Sequence, residues 1–174
     1  MVREFRCIIT ELSDQKFDVI QKHSIQFFQG IPDKDNITEW FRDTRRRILV
    51  LDDLMADGGD NKEILNLFTQ YSHYMNVTVC YLCQAMFPQG KYAETISTNA
   101  QYIIEFKNAR DKIGLRNLLL QINPTDWCQV IDVYNACTDR SYGYLCFDVH
   151  PASRDSMRLV SHLLKHEGCM QCYR

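Results

Sequence analysis

The stretch Arg47-Ile48-Leu49-Val50-Leu51-Asp52-Asp53 decides how the rest of the chain is read. Four consecutive apolar residues fit a strand buried on both faces, as in a parallel sheet. Two aspartates follow. A strand of this kind carries its carboxylates out at the carboxyl edge of the sheet, where open α/β folds bind ligands. There a first carboxylate can hold Mg²⁺ and a second can polarise a water. Solvated loop acids after a buried strand give the same short pattern, so the flanking sequence has to decide.

Downstream, Val77-Thr78-Val79-Cys80-Tyr81-Leu82 reads as a second interior strand, and Cys83-Gln84 ends it. An amide at the edge of a neighbouring strand suits a terminal phosphate or an attacking water, because it both donates and accepts hydrogen bonds. A strand-end glutamine facing solvent is the plain alternative. Between the two strands, Asp57-Gly58-Gly59-Asp60 is a turn or loop. Ile64, Leu65, Phe68 and Tyr71 then fall on one side of a helix.

Outward from this pair the alternation continues. Cys7-Ile8-Ile9 and Ile25-Gln26-Phe27-Phe28 are short strand candidates. Ser13 or Asp14 can cap a helix reaching Lys22, and Asn36 to Asp43 reads as a short helix with Trp40 and Phe41 on its apolar side. Met86 to Thr98 is irregular, with Pro88 and Gly90 in it. Tyr102 to Phe106 and Gly143 to Asp148 are strands. Helices are expected around Leu115, Leu118, Leu119 and Ile122, over Pro124 to Ala136, and from Ser153 to about His166. Strands alternating with helices argue for an α/β fold with a largely parallel sheet.

The chain has 174 residues, of which 45% are hydrophobic and 24% charged. That length fits one domain over residues 1–174, with no visible repeat or linker. A globular chain of this size buries roughly 70% of its unfolded surface, so it needs neither disulfide nor metal to hold a core. Its composition rules out collagen, low complexity and bulk disorder. No apolar run is long enough to span a membrane as a helix, and Met1 to Arg6 carries no signal-peptide pattern. An intracellular protein, nuclear or cytoplasmic, is expected. The formal net charge is −2, which argues against DNA binding over the whole surface. The one dense basic cluster, Arg42, Arg45, Arg46 and Arg47, reads first as a solvated turn before a strand.

Eight cysteines are present. Without a secretion signal they read as free thiols. Cys80 and Cys83, three apart in a strand, point to opposite faces and grip one ion poorly. His162, His166, Cys169 and Cys172 form H-x₃-H-x₂-C-x₂-C. On a helix the two imidazoles lie one turn apart and face solvent. Four N/S donors can make a tetrahedral zinc site, although a chain terminus without support gives the same residues no role.

Taken together, Ile48–Asp53, Leu67-Phe68-Thr69, Tyr71-Ser72-His73 and Asn76–Gln84 resemble the DNA-packaging ATPases of polinton-type elements and large DNA viruses. These belong to the FtsK–HerA branch of P-loop ATPases. The resemblance continues through Phe87-Pro88-Gln89-Gly90-Lys91, Thr95-Ile96-Ser97, Asn99–Ile104, Phe106–Asp111 and Tyr142-Gly143-Tyr144-Leu145 with Asp148. It implies a RecA-like P-loop NTPase core with a largely parallel central sheet, ATP and Mg²⁺ as cofactors, and double-stranded DNA and capsid proteins as partners of a homo-oligomeric ring. By position, Asp52 corresponds to the Mg²⁺-coordinating carboxylate of a Walker B strand, Asp53 to the residue that orients or activates water, and Gln84 to a sensor of the γ-phosphate. Arg110 matches a recurrent block; an Arg110–Asp111 pair fixing a strand-to-helix turn is the favoured reading.

The departures from the family pattern carry equal weight. A P-loop needs G-x-x-x-x-G-K-[ST], whose backbone N–H groups and lysine hold the phosphates. The only Gly-Lys pair here is Gly90-Lys91; Tyr92 follows it and Ala85 stands where the first glycine belongs. No cofactor-binding Walker A residues are therefore assigned, and the resemblance implies a core incomplete at its N-terminus. Tyr74-Met75 replaces a frequent His-Arg, an arginine is missing near Glu94, and Ala109 replaces a usual proline. Two functions are expected from different classes. One is the Walker B and sensor portion of an ATP-driven DNA packaging ATPase, inactive alone. The other is a non-enzymatic descendant that keeps the fold and binds protein or DNA.

Overall fold

In the computed structural model, residues 7–11, 25–43, 46–52, 54 and 58–173 are described. The expected helix from Ser13 or Asp14 to Lys22 and the carboxylate of Asp53 lie outside these residues. The chain divides into two units, Met1–Asn99 and Ala100–Arg174, each with its own four-stranded sheet.

The first sheet is ordered β2-β1-β3-β4, from β1 (Cys7–Glu11), β2 (Ile25–Phe28), β3 (Arg47–Leu51) and β4 (Val77–Tyr81). All four were legible as apolar runs. Their directions were not. β1 runs antiparallel to both β2 and β3, and only β3 and β4 are parallel. An apolar run predicts a strand but says nothing of its sense. In the second sheet every described pairing is antiparallel. The fold is mixed α/β with one parallel pair, where a largely parallel sheet was expected.

Strand β3 is the axis of the first unit. Leu49 and Leu51 are fully buried on one face, while Ile48 and Val50 are half-buried on the other. Helix α1 (Lys34–Trp40) covers part of this core. It starts at Asp33, whose carboxylate accepts from Asn36 N–H at 2.8 Å while Asn36 Oδ1 accepts from Asp33 N–H. This reciprocal cap satisfies donors that the first turn cannot pair internally. Ile37 and Phe41 enter the core, and Trp40 packs on Phe28 with ring centroids 4.2 Å apart.

Between β3 and β4 the chain crosses over through a helical run. α2 (Lys62–Asn66) passes into a π-helical turn at Leu67–Tyr71 and then α3 (Ser72–Tyr74). Ile64 and Leu67 are fully buried; Leu65, Phe68 and Tyr71 pack around them. The segment expected to be irregular contains helix α4 (Ala93–Asn99), which buries Ala93 and Ile96.

The second sheet is ordered β5-β6-β7-β8, from β5 (Tyr102–Phe106), β6 (Tyr144–Asp148), β7 (Leu159–Ser161) and β8 (Gln171–Tyr173). Tyr144, Leu145, Cys146 and Phe147 of β6 are all buried. Helices α5 (Lys112–Ile122) and α6 (Trp127–Thr138) contribute Leu115, Leu118, Leu119, Val130 and Tyr134 to the buried set. Tyr134 Oη–H donates to the Phe106 carbonyl at 2.8 Å and its oxygen accepts from Asn108 N–H at 3.1 Å, pinning the end of β5.

The helix expected from Ser153 to His166 does not form. That stretch holds a 3₁₀ turn at Asp155–Met157, strand β7 and a second 3₁₀ turn at Lys165–Glu167. The helical pattern relied on Met157, Val160 and Leu164 as one buried side. Only Val160 is buried; Met157 and Leu164 stay exposed. Val160 pairs with Cys146 on one side and Cys172 on the other. Pairing to the fully buried β6 outweighs weak local helical periodicity, a tertiary override of propensity.

Candidate functional site

The parallel pair builds the candidate edge. Arg47 is opposite Val77, and the register runs to Leu51 opposite Tyr81. One further ladder bond, Leu82 N–H to the Leu51 carbonyl at 2.9 Å, carries the pairing past both strand ends. Asp52 and the Leu82-Cys83-Gln84 segment therefore leave the sheet at the same carboxyl edge. Asp52 is half-buried and Gln84 is exposed. Asp53 lies outside the described residues.

Two loops frame this edge. One follows β3 and contains Gly58, Gly59 and Asp60; the other follows β4 and contains Gln89, Gly90, Lys91 and Tyr92. Tyr92 N–H donates to the Gly59 carbonyl at 2.8 Å, and Lys91 N–H donates to Asp60 Oδ1 at 2.6 Å. The loops cross backbone to backbone. A Cβ on Gly59 would collide with the Gln89 carbonyl, and one on Gly90, whose φ is +142°, would collide with the Gly59 backbone. Only glycine allows that approach. Asn61 Oδ1 then accepts from Glu63 and Ile64 N–H at 2.8 and 3.2 Å and starts α2.

Gly90-Lys91 is thus no phosphate cradle. Its outgoing N–H groups are spent on Asp60 and Gly59, and the Lys91 ammonium sits 5.0 Å over the Tyr92 ring. Among the described residues, the Gly90-Lys91 loop therefore offers no backbone cradle for a triphosphate. For a divalent cation the chemistry is different. Mg²⁺ takes hard oxygen donors and commonly keeps several waters beside one or two carboxylates, so Asp52 fits as a single protein ligand. Among the described residues, no group of three or more His, Cys, Asp or Glu side chains is gathered as a metal cage.

Tyr81, opposite Leu51, ends β4 with its hydroxyl buried against Gly58 and without a hydrogen-bond partner among the described residues. Burial, and after it the Cys83 thiol, pushes this phenol up to about 12. Sequence reading missed Tyr81, because an apolar run gives no sign of which hydroxyl ends in a dry corner. It also missed the Gly59–Gly90 crossing, although both glycines were visible as turn signals.

Other candidates fall elsewhere. Arg47 is not part of a basic surface. It is buried, and its guanidinium holds Asp43 by two bonds of 2.8 Å and the Trp40 carbonyl by one of 2.6 Å. The turn after β5 is fixed by Asn108 and Asp111. Asn108 Oδ1 accepts from Arg110 and Asp111 N–H, and Asp111 Oδ1 caps α5 through Gly114 N–H at 2.8 Å. The Arg110 side chain is exposed. Asp148 holds the turn after β6, accepting from His150 N–H and Ser153 Oγ. His73, Tyr74 and Glu94 are exposed. His162 and His166 do not share a helix, Cys172 sits on β8, and the structure does not gather these four residues as the zinc quartet that the spacing allowed.

Comparisons with protein-family models, with curated proteins and with solved structures gave no match. No helix among the described residues is long and apolar enough to cross a membrane.

Proposed function

We propose that this chain is the Walker B and sensor portion of an ATP-driven, double-stranded DNA packaging or translocating ATPase with a RecA-like core. The observation that supports the reading most is the parallel, in-register pairing of β3 and β4. It brings Asp52 and Gln84 to one sheet edge, joined by a helical crossover, as the chemistry of a Walker B strand beside a sensor strand requires. In this reading Asp52 holds Mg²⁺, Asp53 orients or activates water, and Gln84 contacts the γ-phosphate. DNA and capsid proteins are the partners, engaged by a ring of copies. At a net charge of −2, a ring can still present basic loops inward.

The 174 residues hold no G-x-x-x-x-G-K-[ST], and Gly90-Lys91 is committed to the loop crossing. The isolated chain therefore does not hydrolyse ATP. The test is to sequence the transcript upstream of the Met1 codon and to assay the products with Mg²⁺ and DNA. An in-frame Gly-x-x-x-x-Gly-Lys-Ser/Thr segment whose inclusion gives ATPase activity, lost in Asp53→Asn, supports the proposal. In-frame stop codons favour a non-enzymatic descendant that binds protein or DNA. Robust turnover by the isolated chain, abolished by Asp53→Asn, contradicts the inactivity stated here.

A further inference from the structure

A recess of about 410 Å³ lies in the second unit where the end of α6 meets β7 and β8. Cys137, Asp139, Arg140, His162, Gln171 and Tyr173 line it. One chain of hydrogen bonds sets the state of its histidine. His162 Nδ1 lies 2.7 Å from Ser161 Oγ, Ser161 Oγ lies 3.0 Å from Tyr173 Oη, and Tyr173 Oη–H donates to Gln171 Oε1 at 2.8 Å. An amide oxygen only accepts, so the Tyr173 proton is committed to it. Ser161 must then give its proton to Tyr173 Oη and take one from His162 Nδ1–H. The hydrogen-bond directions thereby assign the Nδ1–H tautomer, with the bare Nε2 lone pair left for the recess.

His162 is held there in the left-handed backbone region, φ 58°, which few residues other than glycine adopt. Ser161, at the centre of the relay, is almost wholly buried. Arg140 is aimed by Glu167, which accepts from its Nη2 at 2.7 Å. Glu167 is itself fixed by Tyr144 Oη at 2.6 Å and Leu164 N–H at 3.0 Å. The remaining Arg140 N–H groups, the Gln171 amide nitrogen and His162 Nε2 have no protein partner among the described residues. Asp139 lies on the exposed rim, 3.6 Å from the Lys107 ammonium.

The lining thus offers cationic and amide donors together with His162 Nε2 as an acceptor, and the Asp139 carboxylate as a second acceptor at the rim. A carboxylate, a sulfate or a phosphodiester has only acceptors. Hydrogen phosphate has acceptor oxygens and one hydroxyl, so it matches both kinds of group. We propose that this recess is a binding site for inorganic phosphate, with Arg140 and Gln171 donating to its oxygens and its hydroxyl donating to His162 Nε2. The recess belongs wholly to the second unit, and the proposal does not rest on the ATPase reading.

The test is a titration of the full isotope-labelled chain with sodium phosphate at pH 8 and fixed ionic strength, followed by NMR. Saturable shifts of the Arg140 and Gln171 side-chain N–H groups and of the His162 ring are expected, with sulfate weaker by about tenfold or more. Arg140→Gln and His162→Phe should each weaken phosphate by about tenfold. Tyr173→Phe, which removes the commitment of the relay, should erode the preference over sulfate while the folded spectrum persists. Equal binding of sulfate, non-saturating shifts, or full affinity in His162→Phe would overturn the proposal. So would displacement of phosphate by a DNA duplex at matched phosphate concentration, which would make the ligand a nucleic-acid backbone.

Discussion

Arg47 shows how one residue changes meaning between sequence and structure. In the sequence it closes a basic run; in the fold its guanidinium is buried and ties the end of α1 to the start of β3 through Asp43 and Trp40. Charge-assisted, bidentate bonds of this kind are the strong ones. Asp43 is 38% exposed in its side chain, so water screens part of the pair. Arg47→Met should cost about 2 kcal/mol in chemical denaturation, well above the few tenths expected of Arg46→Met on the surface. Glu105 makes the second residue-scale prediction. Burial, and then the Asp111 charge, push its carboxyl from 4.5 up to about 7. Between those values the folded chain holds a proton that the unfolded chain has released, so stability falls as pH rises from about 4.5 through about 7. Glu105→Gln should flatten that decline and make the chain more stable at pH 8, read as the thermal midpoint against pH.

At the scale of elements, the loop crossing is the feature that shapes the candidate edge. Gly90 needs a positive φ, and its place against Gly59 leaves no room for a methyl group. Gly90→Ala should destabilise by about 1–3 kcal/mol, read by urea denaturation. Asp111→Ala, which removes the α5 cap, should cost about 1 kcal/mol. The elements themselves were largely legible. β3, β4 and β6 are short, mostly apolar runs of strand length, and Leu115, Leu118 and Leu119 mark α5 by their spacing. The failures share a cause. Strand direction depends on the connection and on the neighbour, so the antiparallel seating of β1 left no trace in Cys7-Ile8-Ile9. Val160 fits a helical face or a strand equally well, and the buried β6 beside it decided for the strand. For the candidate site, the exit of Asp52 and of the Leu82–Gln84 segment at one sheet edge was readable, because it follows from two adjacent parallel strands. Tyr81 and the Ser161–His162–Tyr173–Gln171 relay were not, since each depends on where distant segments meet.

At the scale of the whole molecule, the described part of β4 is paired on one side only, by β3, and Leu82 just beyond it is exposed. An unpaired strand edge is a template for association. The isolated chain should self-associate as its concentration rises in light scattering, and Thr78→Lys, at an exposed position of β4, should reduce this without loss of folded signal. The claim on which the functional proposal turns is narrower: the carboxyl edge shared by β3 and β4 takes a divalent cation through Asp52. Paramagnetic broadening by Mn²⁺ tests it most directly, because it registers even weak binding residue by residue. Selective broadening of the amide signals of Asp52, Gly58 to Asp60 and Leu82 to Gln84, lost in Asp52→Asn, is the predicted result. Broadening centred elsewhere, or unchanged by Asp52→Asn, would contradict it.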